Sequence, residues 1–273
     1  MTRAEELTHL PVAAFSAIGA GGFRASGLTR GPWHPDHQHA GPPIALAMRA
    51  IERAAAELEL DHIGRLTANL LRPVPIGELT VEVGVDDAGR TAAHLAARLL
   101  AAGKEIARFT ALAQRAAELL VPAGLPGHPL PMAPASAEDS RPVRFPFLLD
   151  SIGYPDLVET RLATGDFFRG PCAVWFRMRH PLVEGETPSA YQRVAVAADS
   201  GNGISAILDF DRYTFVNFDL TINLLRRPRG ESICIEAQTL LGPEGSGLAE
   251  SRIYDELGLV GRGTQSLLVR PRE

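Results

Sequence analysis

The chain has 273 residues, of which 45% are hydrophobic and 22% are charged, and its formal net charge is -5. These values are typical of a soluble globular protein, and the mild negative charge argues against a dedicated nucleic-acid-binding protein, which normally carries a basic face. Cys172 and Cys234 are too few for a disulfide framework and suit a reducing compartment. Residues 1–11 lack the apolar core of a signal peptide, and no run of about 18 apolar residues predicts a membrane span. We therefore expect a cytoplasmic protein with neither a nucleic-acid nor a membrane partner.

Short strands and a histidine-containing loop are predicted at the start of the chain. Residues 13–30 contain short apolar segments broken by glycines, which indicates one or two strands with turns. The loop over residues 33–43 contains four possible metal ligands, which are His34, Asp36, His37 and His39. Neither a cysteine nor a helical histidine pair with a glutamate accompanies them, so we predict a polar loop and no metal site.

A long helix is predicted from Pro42 to about Leu58. Proline is tolerated in the first helical turn, because its missing N–H would have no partner there in any case. The segment is rich in alanine and has no further glycine or proline after Pro43. Its apolar residues recur at helical spacing and form one stripe, made of Ile44, Ala47, Met48, Ile51 and Ala55. This pattern indicates a helix that a sheet can wrap.

Four strands are predicted after this helix, over residues 66–72, 79–85, 92–100 and 106–114. The second of them alternates apolar and polar residues, so one of its faces is expected to be buried and the other wet. Short segments of proline, glycine and aspartate join the strands and are typical of turns. Residues 1–115 are therefore predicted to form short strands, one long helix and an antiparallel meander.

A linker and a second copy of this plan are predicted for the rest of the chain. The segment 116–142 contains six prolines, which is typical of a linker. Residues 143–273 then repeat the plan. Their predicted elements are strands over 167–168, 173–179, 215–225, 232–241, 248–255 and 260–269, a short helix over 187–195, and residues 199–208 in the place of the long helix.

An internal repeat supports this division. Arg65–Arg72 reads RLTANLLR and Asp219–Arg226 reads DLTINLLR, so six of eight positions are identical at an offset of 154 residues. In both copies a turn containing proline and glycine follows, and then an alternating run. A match of this length indicates one structural unit written twice.

The chain resembles the acyl-CoA thioesterases of the thioesterase II type, which have a double hotdog fold. The resemblance covers nearly all of the chain outside the linker and depends on the order of several short motifs. These motifs are His39-Ala-Gly41 before the long helix, Leu71–Gly77, Gly89-Arg90, Ala198-Asp199, Asp219-Leu-Thr221 followed by Arg226, and Gly263-Thr-Gln265. In one departure, Arg227 stands where family members often have a proline.

The resemblance implies an α+β double hotdog, in which each repeat wraps a long helix in an antiparallel sheet. It also implies hydrolysis of acyl-CoA to a free acid and CoA, a role in lipid metabolism and no cofactor. Two hotdogs in one chain supply the pairing that single-hotdog proteins obtain by dimerising. Whether the chain also forms a homo-oligomer through its sheet edges is left open.

The family's water-aligning carboxylate, hydroxyl and glutamine fall on Asp199, Thr221 and Gln265. Thioester hydrolysis needs a positioned water, a base for its proton and donors for the oxyanion. Within the repeat, Thr221 matches Thr67, but Gln265 matches Ala111. Asp199 has no carboxylate counterpart at the start of the first helix. We therefore predict one reactive centre per chain, built on the second half.

Further binding residues are expected around this centre. Gly41 and Gly201 are candidates for contacts with the substrate or its oxyanion, since a helix N-terminus offers unpaired N–H groups. Arg72 and Arg226 are candidates for the phosphates of CoA.

Two other functions are compatible with such a fold. A hydratase of the MaoC group pairs an aspartate with a histidine on the same helix, but no histidine follows His180 in the chain. A non-catalytic protein that binds acyl chains in the same pocket is the remaining alternative.

Overall fold

The computed structural model describes residues 10–272, so the predicted lack of a signal peptide falls mainly outside the described residues. This part of the chain contains fourteen strands and four α-helices. The strands are β1 Phe15–Gly19, β2 Gly22–Ala25, β3 His62–Leu70, β4 Glu78–Ala88, β5 Ala92–Ala101, β6 Lys104–Gln114, β7 Arg141–Val143, β8 Val158–Gly165, β9 Cys172–Met178, β10 Tyr213–Asn217, β11 Asp219–Leu224, β12 Ser232–Leu241, β13 Ser246–Asp255 and β14 Gly258–Pro271. The helices are α1 Gly41–Glu57, α2 Tyr154–Leu157, α3 Ala190–Ala198 and α4 Gly201–Ile204, and a 3₁₀ turn spans Gly27–Thr29.

All strands belong to one antiparallel sheet, in the order β1-β2-β4-β5-β6-β3-β11-β14-β13-β12-β9-β8-β7, with β10 also paired to β14. The first half of the chain thus supplies one side of the sheet and the second half the other. The halves meet where β3 pairs with β11. These two strands carry the repeated octapeptide, so its two copies lie side by side.

Helix α1 lies at the centre of the first half, as its apolar stripe predicts. Gly41 through Arg49 are all buried, which fits a helix wrapped by the sheet. It packs against α3, whose N-terminus is capped by Ser189. The two helices lie close together at Gly41, where an added Cβ would lie 2.5 Å from the carbonyl oxygen of Val196. The fold is therefore the predicted double hotdog.

Helix α3, rather than the predicted segment 199–208, is the second-half counterpart of α1. The predicted helix over 187–195 corresponds to α3, which is rich in alanine. The next four residues, Ser200 to Gly203, include two glycines and are poor helix formers. The helix is therefore interrupted at Asp199, which closes α3 instead of starting a helix as predicted.

The approach to the second half also differs from prediction. The pair Phe167–Phe168 lies in a turn and not in a strand, and β7, α2 and β8 had no predicted counterpart. Residues 115–140 contain neither helix nor strand, whereas the end of the predicted linker falls in β7. Among residues 10–272, no helix is both long and apolar enough to cross a membrane.

Candidate active site

Asp199 occupies the joint between α3 and α4, and Gln265 holds this joint in place. Gln265 lies on the inner face of β14 and is 2% exposed. Its Nε2 donates to the backbone carbonyl of Asp199 at 3.1 Å, and its Oε1 accepts from the N–H of Asn202 at 3.0 Å. Both ends of the amide are thus occupied by backbone groups on either side of the joint. Gln265 fixes the position of Asp199 and does not line the neighbouring cavity.

The carboxylate of Asp199 is 4% exposed and contacts one side chain from each half of the chain. Asn217 in β10 donates from Nδ2 to Oδ1 at 2.9 Å. His39, which precedes α1, places Nδ1 3.0 Å from Oδ2. The carboxylate caps neither helix through its side chain. Its partners are instead an amide donor and an imidazole.

The ring of His39 is fixed by Tyr154. The two rings stack with centroids 3.8 Å apart and planes 3° apart. Tyr154 is fully buried, and its hydroxyl donates to the carbonyl of Val196 and contacts Ser200 Oγ. Burial raises the pKa of Tyr154 far above its usual range, since the nearby Asp199 adds to the effect of desolvation. Tyr154 therefore stays neutral and serves as a platform for His39.

Thr221 does not join this group. In β11 the buried residues are Leu220, Ile222 and Leu224, so Thr221 lies on the opposite face of the sheet. It pairs directly with the exposed Thr264 of β14, one residue from Gln265. The structure thus brings Asp199 and Gln265 together but leaves Thr221 on the outer face, contrary to the predicted set.

A β-bulge at Phe218 explains this difference. Asn217 pairs with Leu267 and Thr221 with Thr264, so four steps along β10 and β11 correspond to three along β14. The extra residue changes which face the following side chains occupy. Phe218 itself keeps its backbone paired, because its N–H donates to Ser266 and its carbonyl accepts from Leu70. The bulge therefore turns Asn217 inward and Thr221 outward.

Asp199 lines a cavity of about 250 Å³ whose walls include six phenylalanines and one tryptophan. It lies between the loop before α1, the end of β3 and the second-half segments around Phe145, Phe168 and Phe210. Trp33 and Phe210 stack face to face at 4.6 Å, and the guanidinium of Arg272 lies over both rings. The exposed Arg72 lines another part of the cavity and donates to the carbonyl of Glu105.

Arg226, the other predicted phosphate ligand, has a different role. Its two terminal nitrogens donate to both oxygens of Asp255 at 2.7 and 2.6 Å, and further bonds reach the carbonyls of Gly258 and Leu259. Asp255 is fully buried. The guanidinium of Arg226 is therefore occupied by contacts within the fold. This differs from its predicted role as a ligand of the CoA phosphates.

Packing accounts for both predicted substrate-binding glycines. Gly41 permits the close approach of α1 to α3, and its N–H donates to His39 Nδ1, with 3.2 Å between the two nitrogens. At Gly201 an added Cβ would lie 2.9 Å from Gln265 Oε1 and 3.0 Å from Ser251 Oγ. Neither glycine lines the cavity, so their predicted contacts with substrate stay predictions.

The two cysteines are poorly suited to nucleophilic chemistry. Cys172 and Cys234 are buried, and burial raises the pKa of both thiols, that of Cys172 to about 12. Thiolates are therefore disfavoured. Among residues 10–272 no three histidine, cysteine or acidic side chains are grouped for a metal ion, although the rings of His34 and His37 lie 4.4 Å apart.

Comparisons with known proteins agree with this fold. The N-terminal domain of the acyl-CoA thioesterases matches residues 29–129, and their C-terminal domain matches residues 124–269. The two matches meet within the predicted linker. No curated protein matches the chain in sequence.

Solved structures of similar fold cover almost the whole chain. A hotdog-fold protein of unknown function from Alicyclobacillus acidocaldarius has a TM-score of 0.72 and 15% identity, over 96% of this chain and 97% of its own. The tesB protein of Mycobacterium avium subspecies paratuberculosis has a TM-score of 0.64 and 15% identity, over 99% and 100%. Acyl-CoA thioesterase II TesB2 from Mycobacterium marinum has a TM-score of 0.63 and 16% identity, over 95% and 96%. With both domains matched in the order of the two hotdogs, the chain belongs to the acyl-CoA thioesterase family and is a thioester hydrolase.

Proposed function

We propose that the chain hydrolyses acyl-CoA thioesters to a free acid and CoA at a single centre built around Asp199. The observation that carries this proposal is an almost buried carboxylate that accepts a hydrogen bond from Asn217, contacts His39 and lines a largely apolar cavity. Such a group can draw a proton from a water molecule within a site of low dielectric constant. Asn217 takes the place that the resemblance assigned to Thr221.

The reaction needs one water and no other reactant. The water oxygen attacks the thioester carbonyl carbon while one of its protons passes to the Asp199 carboxylate. The tetrahedral intermediate then collapses, the C–S bond breaks, and the proton passes to the departing thiolate of CoA. Gln265 acts in this scheme by positioning Asp199, because both of its polar atoms hold the backbone of the joint.

The acyl group of the substrate is assigned to the cavity, and the CoA phosphates are assigned to the surface outside it. The acyl group lies among the aromatic side chains, where its burial is favourable. The CoA phosphates lie outside, near Arg72 and Arg272, whose guanidinium groups suit phosphate oxygens. Both arginines are exposed, as ligands of a solvated phosphate should be.

Release of free thiol from a panel of acyl-CoAs tests this function. Asp199→Asn keeps the volume of the side chain, and we expect it to reduce turnover by about 100-fold or more, the range for loss of a general base. Its melting temperature should stay close to that of the wild type, because an amide oxygen can still accept the hydrogen bond from Asn217. Saturable binding of acyl-CoA without release of thiol by the wild type would instead indicate a non-catalytic acyl-binding protein.

A further inference from the structure

The cavity beside Asp199 contains an unusual concentration of aromatic rings. The chain has 11 phenylalanines and two tryptophans. Six of those phenylalanines and one of the tryptophans line this one cavity: Trp33, Phe145, Phe147, Phe168, Phe210, Phe215 and Phe218. The other apolar lining consists of two leucines, two valines, two prolines and one alanine, and nine further lining residues are polar or glycine. The rings are therefore the largest apolar side chains that an acyl group meets in this cavity.

These rings form a continuous series from Trp33 to Asp199. Phe210 stacks on Trp33 and lies 6.2 Å from Phe147. Phe147 meets Phe168 nearly edge to face at 5.9 Å, and Phe168 meets Phe145 in the same manner at 5.7 Å with planes 87° apart. The series continues from Phe145 to Tyr154, which stacks on His39 beside Asp199.

The backbone of Phe168 supplies an independent observation. Its φ is +61°, a left-handed conformation that is rare for a bulky residue and costs free energy. The conformation is held by a hydrogen bond from its N–H to the carbonyl of Ile204, just after the joint that carries Asp199. Backbone conformations of this kind recur at functional sites. Positive φ also occurs away from this cavity, at Glu59, Ala102 and Leu148. At Phe168 the conformation places a ring in the cavity wall.

We propose that the preferred substrate carries a compact aromatic acyl group, an aryl or short arylalkanoyl thioester, and not a long straight chain. This inference depends on the proposed function. A flat ring can meet the edges and faces of Phe147, Phe168 and Phe145 in the geometry that aromatic pairs prefer. A flexible alkyl chain gains no such directional contact. It also loses more conformational freedom on binding.

The size of the cavity supports the same class of substrate. A cavity of roughly 150 Å³ lined by apolar side chains is large enough to bind benzene. Pockets that enclose larger ligands measure about 300–1,000 Å³. At about 250 Å³, this cavity lies between them and suits one ring with a short connection to the thioester carbonyl.

Competition between thioesters tests the proposal on the full-length protein. We expect kcat/KM for benzoyl-CoA or phenylacetyl-CoA to exceed that for octanoyl-CoA and palmitoyl-CoA by about 10-fold or more, the sum of two or three aromatic contacts. The variants Phe168→Leu and Phe147→Leu keep the wall apolar but remove a ring. Each should reduce the aromatic preference by about 2- to 10-fold.

Phe23→Leu is the matched control, since Phe23 is a buried ring in β2 outside the cavity. It should leave the ratio between aromatic and straight-chain substrates unchanged. If Phe168→Leu does not fold, Phe147→Leu decides alone. Faster turnover of palmitoyl-CoA than of both aromatic thioesters would overturn the proposal and leave the thioesterase function intact. Failure of the wild type to release thiol from any member of the panel would overturn both.

Discussion

Thr67 and Thr221 pair directly across the junction of the two halves, and their hydroxyl oxygens lie 3.2 Å apart. They are the same position in the two copies of the repeated octapeptide, so each copy pairs with the other about a local two-fold axis. The leucines and isoleucines of both strands enter the core, while the threonines occupy the outer face. We therefore expect the shared threonines to serve the pairing of the two strands and not catalysis.

Thr221→Val tests this explanation directly. Because Thr221 faces away from Asp199, we expect turnover of acyl-CoA to stay within about two-fold of the wild type, and stability to fall by about 1 kcal/mol, the value of one hydrogen bond. The double variant Thr67→Val with Thr221→Val removes both partners and should recover part of that loss. Thermal unfolding and thiol release measure the two quantities. A 100-fold loss of turnover in the single variant would instead indicate that Thr221 takes part in catalysis.

Asn217 is expected to behave in the opposite way. Its Nδ2 is a hydrogen-bond donor to the nearly buried carboxylate of Asp199, and bonds to charged groups contribute about 1.5–3 kcal/mol. Asn217→Leu should therefore reduce kcat about 10- to 100-fold, with a smaller change in KM. Asn223→Leu is a suitable control, because Asn223 is exposed on the outer face of β11. Equal turnover in the two variants would contradict a role for Asn217.

The secondary structure was largely predictable, because its signals are local. The period of α1, the alternation of β4 and the turn residues of the meander are all contained in short stretches of sequence. The site depends on non-local features. Alternation along residues 215–225 predicts one unbroken strand. No residue type in this stretch indicates the bulge at Phe218. Alternation alone would put Asn217 and Thr221 on one face, and the bulge separates them.

The contact between His39 and Asp199 could not be predicted from the sequence either. Its neighbours His34 and His37 invite a comparison with metal sites, and the motif His39-Ala-Gly41 indicates only a helix entrance. The contact with Asp199 arises because α1 and α3 pack closely at Gly41 and Val196, from different halves of the chain. Only the three-dimensional pairing of the hotdogs brings this imidazole to the carboxylate.

Removing His39 should therefore affect catalysis from the first half of the chain. In His39→Ala the Asp199 carboxylate loses the imidazole at 3.0 Å, and we expect kcat to fall by about 10-fold or more. His94→Ala is the matched control, since His94 is exposed on β5. Steady-state kinetics with one acyl-CoA distinguishes the two variants. Unchanged kcat in His39→Ala would mean that the second half forms the reactive centre without a contribution from His39.

Arg226→Met should destabilise the protein without changing the affinity for CoA. Removal of one partner from a buried ion pair costs about 3–5 kcal/mol, and Asp255 is fully buried. Burial alone would raise the pKa of Asp255, but hydrogen bonds from Arg226 and from the N–H groups of Arg229 and Leu257 hold it below its usual value. A lowered pKa stabilises the fold above the ordinary aspartate value, near pH 4, and this stability is lost as the pH falls through the lowered pKa. Arg226→Met brings the folded-state pKa of Asp255 closer to its unfolded value, so melting temperatures should fall less between pH 7 and pH 3 in the variant than in the wild type. An unchanged pH profile would contradict this account.

Arg72→Met should give the complementary result, a weaker interaction with CoA and an unchanged melting temperature. Arg72 is exposed and lines the cavity, where its guanidinium donates to the carbonyl of Glu105. An exposed charge contributes little, so we expect KM for acyl-CoA to rise about 2- to 5-fold with kcat unchanged, and the difference to shrink at high salt. The acyl-pantetheine thioester of the same acid is the matched substrate, because it lacks the nucleotide phosphates. An equal rise of KM for both thioesters would show that Arg72 shapes the cavity instead of meeting the phosphates.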